Sequence, residues 1–178
     1  EVNAKVKLAQ KINGIKPQIN FKNQDTYLKD AFHPILKVKN DAAKLKTIPQ
    51  TFSLKKGSRM LVISGPNAGG KSITLKTMGL LQIMFQSALM VPVSGKSEMG
   101  FFDYVLSDIG DNQSIQNQLS TYSYRLQRMN FFLGKTSPKT LLLLDEFGTG
   151  SDPELGGALA EVFFETIYEE GCFGVITT

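Results

Sequence analysis

The spacing of apolar residues along the chain switches repeatedly between helical and extended patterns. Val2, Val6, Ala9 and Ile12 recur close to helical spacing, and Gly14 and Pro17 follow as stop signals. Residues 1–16 therefore read as the tail of a helix that begins outside the chain, with residues 17–178 as the domain proper. Tyr27-Leu28, Pro34 to Val38 and Thr51 to Leu54 read as short extended segments. Met60 to Ser64 reads as an apolar strand, and Ser72 to Leu89 as a long apolar helix. Val91-Pro-Val93 and Tyr104 to Ser107 read as extended, with a polar loop from Asp108 to Ser120. Tyr122 to Gly134 predicts a helix carrying Leu126, Met129 and Phe132 or Leu133 on one side. Leu141 to Leu144 is an unbroken apolar run, as a parallel strand covered on both faces requires. Asp152 and Pro153 supply an N-cap and a first-turn proline to a last helix, which Gly171 closes. Its expected buried stripe is Leu155, Leu159, Val162, Phe163 and Ile167, and a strand from Gly174 to Thr178 follows. Together these elements predict an α/β fold: a mainly parallel sheet flanked by helices, with an antiparallel portion from the amino-terminal strands.

Two segments carry chemistry. Gly65-Pro-Asn-Ala-Gly-Gly-Lys-Ser72 has the strand–loop–helix setting of a G-x-x-x-x-G-K-S phosphate loop. Glycines let successive backbone N–H groups curl round an anion, and the helix that follows aims its positive end at the same point. The expected nucleotide-binding residues are Gly65, Pro66, Asn67, Ala68, Gly69, Gly70, Lys71, Ser72 and Ile73. Lys71 would neutralise β- and γ-phosphates, and Ser72 would hold a bridging Mg²⁺. The second segment, Thr140 to Glu146, is the apolar strand ending in two carboxylates. Asp145 can serve the metal's shell, and Glu146 can polarise an attacking water. Taken alone, Asp145-Glu146 reads equally well as a solvated acidic turn; the phosphate loop earlier in the chain tips the balance. ATP is the expected ligand and its hydrolysis the expected reaction.

Composition narrows the classes without choosing among them. At 178 residues the chain can bury about 70% of its unfolded surface. Apolar residues make up 42% and charged residues 20%, the balance of an ordinary globular protein. Neither a membrane-length apolar stretch nor a cleavable signal is visible, so the cytoplasm is the expected compartment. Cys172 is the single cysteine and His33 the single histidine, which excludes a disulfide framework and a His/Cys metal site within the chain. Cys172 reads as a small buried hydrophobe near a strand start. The net charge of +4 hides an asymmetry: residues 1–60 carry 13 Lys and Arg against 4 Asp and Glu, or +9, and the rest sums to −5. Twelve of those 13 cations are lysines, which suits a solvated surface better than the bidentate reading of phosphate or guanine.

The words around the two motifs are specific. The loop Gly65-Pro-Asn-Ala-Gly-Gly-Lys-Ser72 resembles that of the MutS DNA-repair ATPases. Asp145 to Pro153 and Asp108 to Ile115 are similar to the second bacterial branch, MutS type two, and Ala31-Phe-His-Pro-Ile-Leu36 resembles the short element that precedes the family's ATPase core. The resemblance implies an ABC-type P-loop ATPase fold, with Glu146 as the catalytic carboxylate and Ser72 and Asp145 as Mg²⁺ ligands. It also implies a place for Asn67 near the γ-phosphate and for His33 at the edge of the nucleotide site. Ser120 and Thr121 fall where the family carries a signature segment that reaches the partner subunit's nucleotide. Left to itself, Ser120 reads as a cap on its own helix. The implied parent is a homodimer in which ATP closes the dimer and hydrolysis reopens it. Its partners would be DNA or stalled ribosomes, bound through segments outside this chain, with no membrane involved. The family's switch His would follow Thr178, so full hydrolysis is expected of the parent rather than of this piece. A transporter nucleotide-binding subunit is the rival class, against which the missing L-S-G-G-Q counts; a nucleotide-sensing module without useful turnover is the other.

Overall fold

Helices and strands alternate in the computed structural model, which describes residues 1–66, 69–110, 118–146 and 153–178, with the backbone alone over 118–125 and 153–155. The chain divides into two units, Glu1–Ser58 with Ile73–Phe101, and Arg59–Ser72 with Phe102–Thr178.

In the first unit, α1 (Val2–Ile12) leads to β1 (Gln18–Asn20), β2 (Thr26–Ala31), α2 (Pro34–Ala42) and β3 (Gln50–Leu54). The helix α3 (Lys71–Gln86) and the short β5 (Glu98–Gly100) complete it, although the first two residues of α3 belong to the second unit. The strands form one sheet in the order β1-β5-β2-β3, with β1 parallel to β5 and β2 antiparallel to both its neighbours. Leu28, Phe52, Leu54, Leu75, Met78, Leu81 and Met99 are buried in this unit. Only Ile12 of the α1 stripe is buried, while Val2 and Val6 are exposed. The left-handed residue that closes α1 is Asn13 (φ 52°) rather than Gly14.

Three expectations need correcting here. Pro34 to Val38 is helical, not extended. His33 takes an extended N-cap conformation and its side chain accepts from the Leu36 N–H, while Pro34 fills a first-turn position that needs no donor. A pair between Lys37 and Asp41 (3.1 Å) adds support one turn on. Val91-Pro-Val93 forms no strand: Val91 makes an isolated bridge to Ile15, and the chain then turns. The helix after the glycine-rich loop stops at Gln86, short of Leu89, because Ala88 turns left-handed (φ 55°).

The second unit holds β4 (Met60–Ile63), β6 (Tyr104–Asp108), α4 (Gln118–Leu133), β7 (Thr140–Leu144), α5 (Pro153–Glu169) and β8 (Phe173–Thr177). Its sheet runs β4-β8-β7-β6 and is parallel throughout. The parallel and antiparallel portions expected of one sheet are thus two sheets. Every position of β7 and β8 is buried, which is why, apart from a terminal threonine in each, their sequences are apolar without alternation. Phe132 of α4, Phe163 and Ile167 of α5, and Leu142, Leu144 and Ile176 of the strands form the core, with Cys172 beside them. Burial raises the Cys172 thiol above its ordinary pKa, so it behaves as the small hydrophobe its sequence setting suggests.

Two stripe residues face the other way. Val162 is 61% exposed and Leu126 is 37% exposed, because Ala160, Phe163 and Ile167 set the inward face of α5, and Met129 and Phe132 that of α4. The side chain of Leu155, and Asp152 with its proposed cap, lie outside the described residues. Gly171 (φ 77°) follows α5 in the left-handed region, as a helix-closing glycine should. No helix among the described residues is long and apolar enough to cross a membrane.

Gly100 is the tightest crossing in the first unit. Its N–H reaches the Thr26 hydroxyl, its carbonyl accepts from buried Gln82, and a Cβ there would lie 2.6 Å from the Cα of Gln24. Gly100→Ala should lower stability by about 1–3 kcal/mol, as an overpacked site does. Gly95→Ala, which meets open space, should change it little. Urea unfolding of the two variants beside the parent chain checks this.

Candidate functional site

Parallel strands all end on the same side, and in the second unit that side collects the residues with chemistry. Register pairs Ile63 with Thr177, Leu144 with Ile176, and Asp108 with Leu144. The carboxyl ends of β4, β8, β7 and β6 are therefore level with one another, at the edge where open α/β sheets receive ligands.

From the end of β4 the chain enters the glycine-rich loop. Gly65 has φ 150° and Gly70 φ 81°, backbone that side chains other than hydrogen rarely adopt. The Gly69 N–H closes a turn onto the Pro66 carbonyl (2.9 Å). Lys71 opens α3 yet is only 6% exposed. Its ammonium donates to the Gly65 carbonyl and to the backbone oxygen of Thr178 (2.7 Å), which ties the loop to the end of β8. Ser72 and Ile73 follow on the same helix. Asn67 and Ala68 lie outside the described residues.

Asp145 and Glu146 leave the end of β7 under close control. The Asp145 N–H donates to the Asp108 carbonyl (2.9 Å), and its Oδ1 accepts from the Thr177 hydroxyl (2.6 Å). The Glu146 N–H donates to the same Thr177 Oγ1 (2.9 Å), and Glu146 itself sits in the left-handed region (φ 47°). Such a conformation costs a non-glycine residue on the order of 1 kcal/mol or more and marks a position held by its surroundings. On the far side, Arg128 of α4 donates to the Ser107 carbonyl (2.5 Å), stacks over Phe132 (4.6 Å) and stands 4.0 Å from the Asp108 carboxylate. Thr177, wholly buried, is the residue that sequence reasoning missed. Its signal was a hydroxyl at the end of an otherwise apolar strand.

The remaining expected site residues belong to the other unit or have side chains outside the described residues. Ser120 and Thr121 belong to the backbone of α4, which starts at Gln118, so Ser120 is inside the first turn rather than at the cap. Their side chains lie outside the described residues, as do residues 111–117 and 147–152 with the motif segments they carry. His33 belongs to the first unit, where its Nδ1 accepts from the Leu36 N–H (3.4 Å).

An all-parallel sheet with a glycine-rich loop, a buried lysine and a paired-carboxylate strand end on one edge defines a P-loop-like α/β domain. Residues 61–178 match the family model described as MutS domain V, and the chain belongs to the MutS family. It is 40% identical over 177 residues to "Endonuclease MutS2" of Ligilactobacillus salivarius, 41% to that of Lacticaseibacillus casei and 39% to that of Enterococcus faecalis. Each of these alignments covers 99% of this chain but 22% of the relative, so the chain spans about a fifth of the length of the relatives it matches.

Burial holds the His33 imidazole below its ordinary pKa of 6.5, and the charge of Lys76 acts in the same direction. Protonating Nδ1 would also turn the cap's acceptor into a donor. The unfolded chain therefore takes the proton first, and stability should fall as pH drops through 6.5 toward the folded value. His33→Asn keeps a capping acceptor but cannot titrate, so its stability should fall less between about pH 7.5 and about pH 5. Urea midpoints at the two pH values decide it.

Proposed function

We propose that the second unit binds ATP at the 65–72 loop and hydrolyses it with Mg²⁺, as the ATPase module of a MutS2-type DNA-associated protein. The observation that carries this reading is the gathering of Lys71, Asp145 and Glu146 at the carboxyl edge of one parallel sheet. Membership of the MutS family favours it over a transporter subunit.

The donor set fits Mg²⁺. Among the described residues no cluster of three or more His, Cys, Asp or Glu is built to cage a metal ion. A cation here would take a carboxylate from Asp145 and a hydroxyl from Ser72, and complete its shell with water and phosphate oxygens, the usual habit of Mg²⁺. Bound there, it would neutralise charge on the terminal phosphates. Lys71 would exchange its backbone acceptors for phosphate oxygens, and the loop N–H groups would hold the remainder. Glu146 would accept a hydrogen bond from the attacking water and draw its proton away as the water oxygen bonds to the γ-phosphorus and the bond to the β-phosphate oxygen breaks, releasing ADP and phosphate. Ser120 and Thr121 are the residues proposed to meet the nucleotide of a second subunit, so that ATP draws two copies together and hydrolysis parts them. The DNA contact, and any role at stalled ribosomes, would lie in the parent protein beyond these residues.

Lys71→Ala should weaken binding of a fluorescent ATP analogue by about 10- to 100-fold, the loss of about 1.5–3 kcal/mol of charge-assisted bonding. An unchanged dissociation constant would remove the loop from the proposal. In the full-length protein, Glu146→Gln should leave that constant within about twofold and slow turnover by about 10²- to 10⁴-fold. Turnover at the parental rate would show that another group polarises the water.

A further inference from the structure

One buried oxygen joins the two carboxylate residues. Thr177 Oγ1 donates its only hydrogen to Asp145 Oδ1 (2.6 Å) and accepts the N–H of Glu146 (2.9 Å). A hydroxyl has one hydrogen to give and lone pairs to receive with, so both halves of its capacity are engaged here. The bond to the carboxylate is short and charge-assisted, the stronger kind. Parallel register brings this about, because Leu144 pairs with Ile176 and the next residue of each strand then meets the other.

We propose that Thr177 is the positioning residue of the hydrolytic edge: its hydroxyl sets which oxygen of Asp145 is offered to a cation and holds the Glu146 backbone in its left-handed turn. This rests on the ATPase reading above and adds a residue to it. With one lone pair of Oδ1 taken by Thr177, Oδ2 would be the more available oxygen for a metal. The Asp145 amide is fixed from the other side by the Asp108 carbonyl, so the carboxylate is held at both ends of its residue. Glu146 has its N–H on Thr177 at the point where its φ of 47° is least favourable, and without that bond the residue is freer to relax toward ordinary backbone. A single hydroxyl thereby governs metal geometry through Asp145 and water geometry through Glu146. The backbone of the neighbouring Thr178 is engaged elsewhere, its N–H donating to the Ile63 carbonyl and its oxygen accepting from Lys71.

The test replaces the hydroxyl while keeping the shape. In the full-length protein, Thr177→Val preserves the branched side chain and removes both hydrogen bonds, and Thr177→Ser restores the hydroxyl alone. Mn²⁺ serves as the probe ion, its binding to protein loaded with a non-hydrolysable ATP analogue followed by electron paramagnetic resonance. Turnover is measured separately against Mg²⁺ concentration, and nucleotide affinity in the absence of divalent ion. Thr177→Val should weaken Mn²⁺ binding, raise the Mg²⁺ concentration for half-maximal turnover and lower kcat, each by about 10- to 100-fold, the usual cost of losing an outer-shell partner. Metal-free nucleotide affinity should stay within about twofold, and Thr177→Ser should recover most of each loss. A purely structural hydroxyl would move folding stability and leave the Mn²⁺ affinity of the folded protein alone. Should Thr177→Val not fold, Thr177→Ala removes the same hydroxyl with less bulk and is read in the same way. Wild-type Mn²⁺ affinity and kcat in the folded hydroxyl-free variant, or a serine variant as impaired as the valine one, would overturn the role of Thr177 alone. If the wild-type protein neither binds nucleotide nor turns it over, the ATPase reading fails, and this inference falls with it.

Discussion

The site depends on one constraint, the register of β8 between its two neighbours. That strand pairs with β4 on one side and β7 on the other, so its last residue, Thr177, touches the acidic strand end and Thr178 just after it receives the loop lysine. β7 and β8 are buried on both faces and, apart from a terminal threonine in each, apolar, so alternation does little to fix their register. A large–small pair supplies the missing information. Met60 and Gly174 are register partners, and a Cβ on Gly174 would stand 2.7 Å from the Met60 sulfur. A slip of one residue would set Met60 against Phe173 or Val175 and carry the Thr177 hydroxyl to the other face of the sheet. Gly174 near the start of β8 thus leaves room for the Met60 side chain in the register that brings Thr177 to Asp145.

How much of this was legible in the sequence varies with the kind of signal. The strand β7, the last helix and the glycine-rich loop announce themselves through unbroken apolarity, an opening proline and spaced glycines. Asp145 and Glu146 were visible as the first charges after an apolar run. The helix α2 was hidden because its residues are mostly exposed or half-buried, leaving no apolar stripe, and its start depends on a histidine cap that sequence rules rank below Ser or Asp. The strand β5 was hidden by brevity: three residues cannot establish a period. Val162 looked like part of a stripe because β-branched apolar residues usually are, yet its neighbour Phe163 takes the inward position. Thr177 lay beyond local pattern altogether, since its partners are more than thirty residues away in sequence.

The two units also differ in what stabilises them. The second is a layered arrangement in which Phe132, Phe163 and Ile167 from two helices cover a parallel sheet, and its strands need no polar face. The first uses shorter strands, tight side-chain-to-backbone bonds around Thr26, Ser97 and Gln82, and a glycine at the closest approach. The basic character seen in residues 1–60 belongs mainly to this first unit, whereas the site edge belongs to the second.

The cradle around Lys71 bears on affinity. Its ammonium is never required to wait unsolvated in a nearly buried position, because the Gly65 and Thr178 backbone oxygens receive it. Under the ATPase reading, an arriving phosphate would swap places with those oxygens instead of meeting a bare charge, and its net gain would be a difference between two sets of contacts. A departing phosphate would leave the lysine a place to return to. A lysine already bonded in the empty loop would therefore hold a phosphate less tightly than a bare ammonium in the same place.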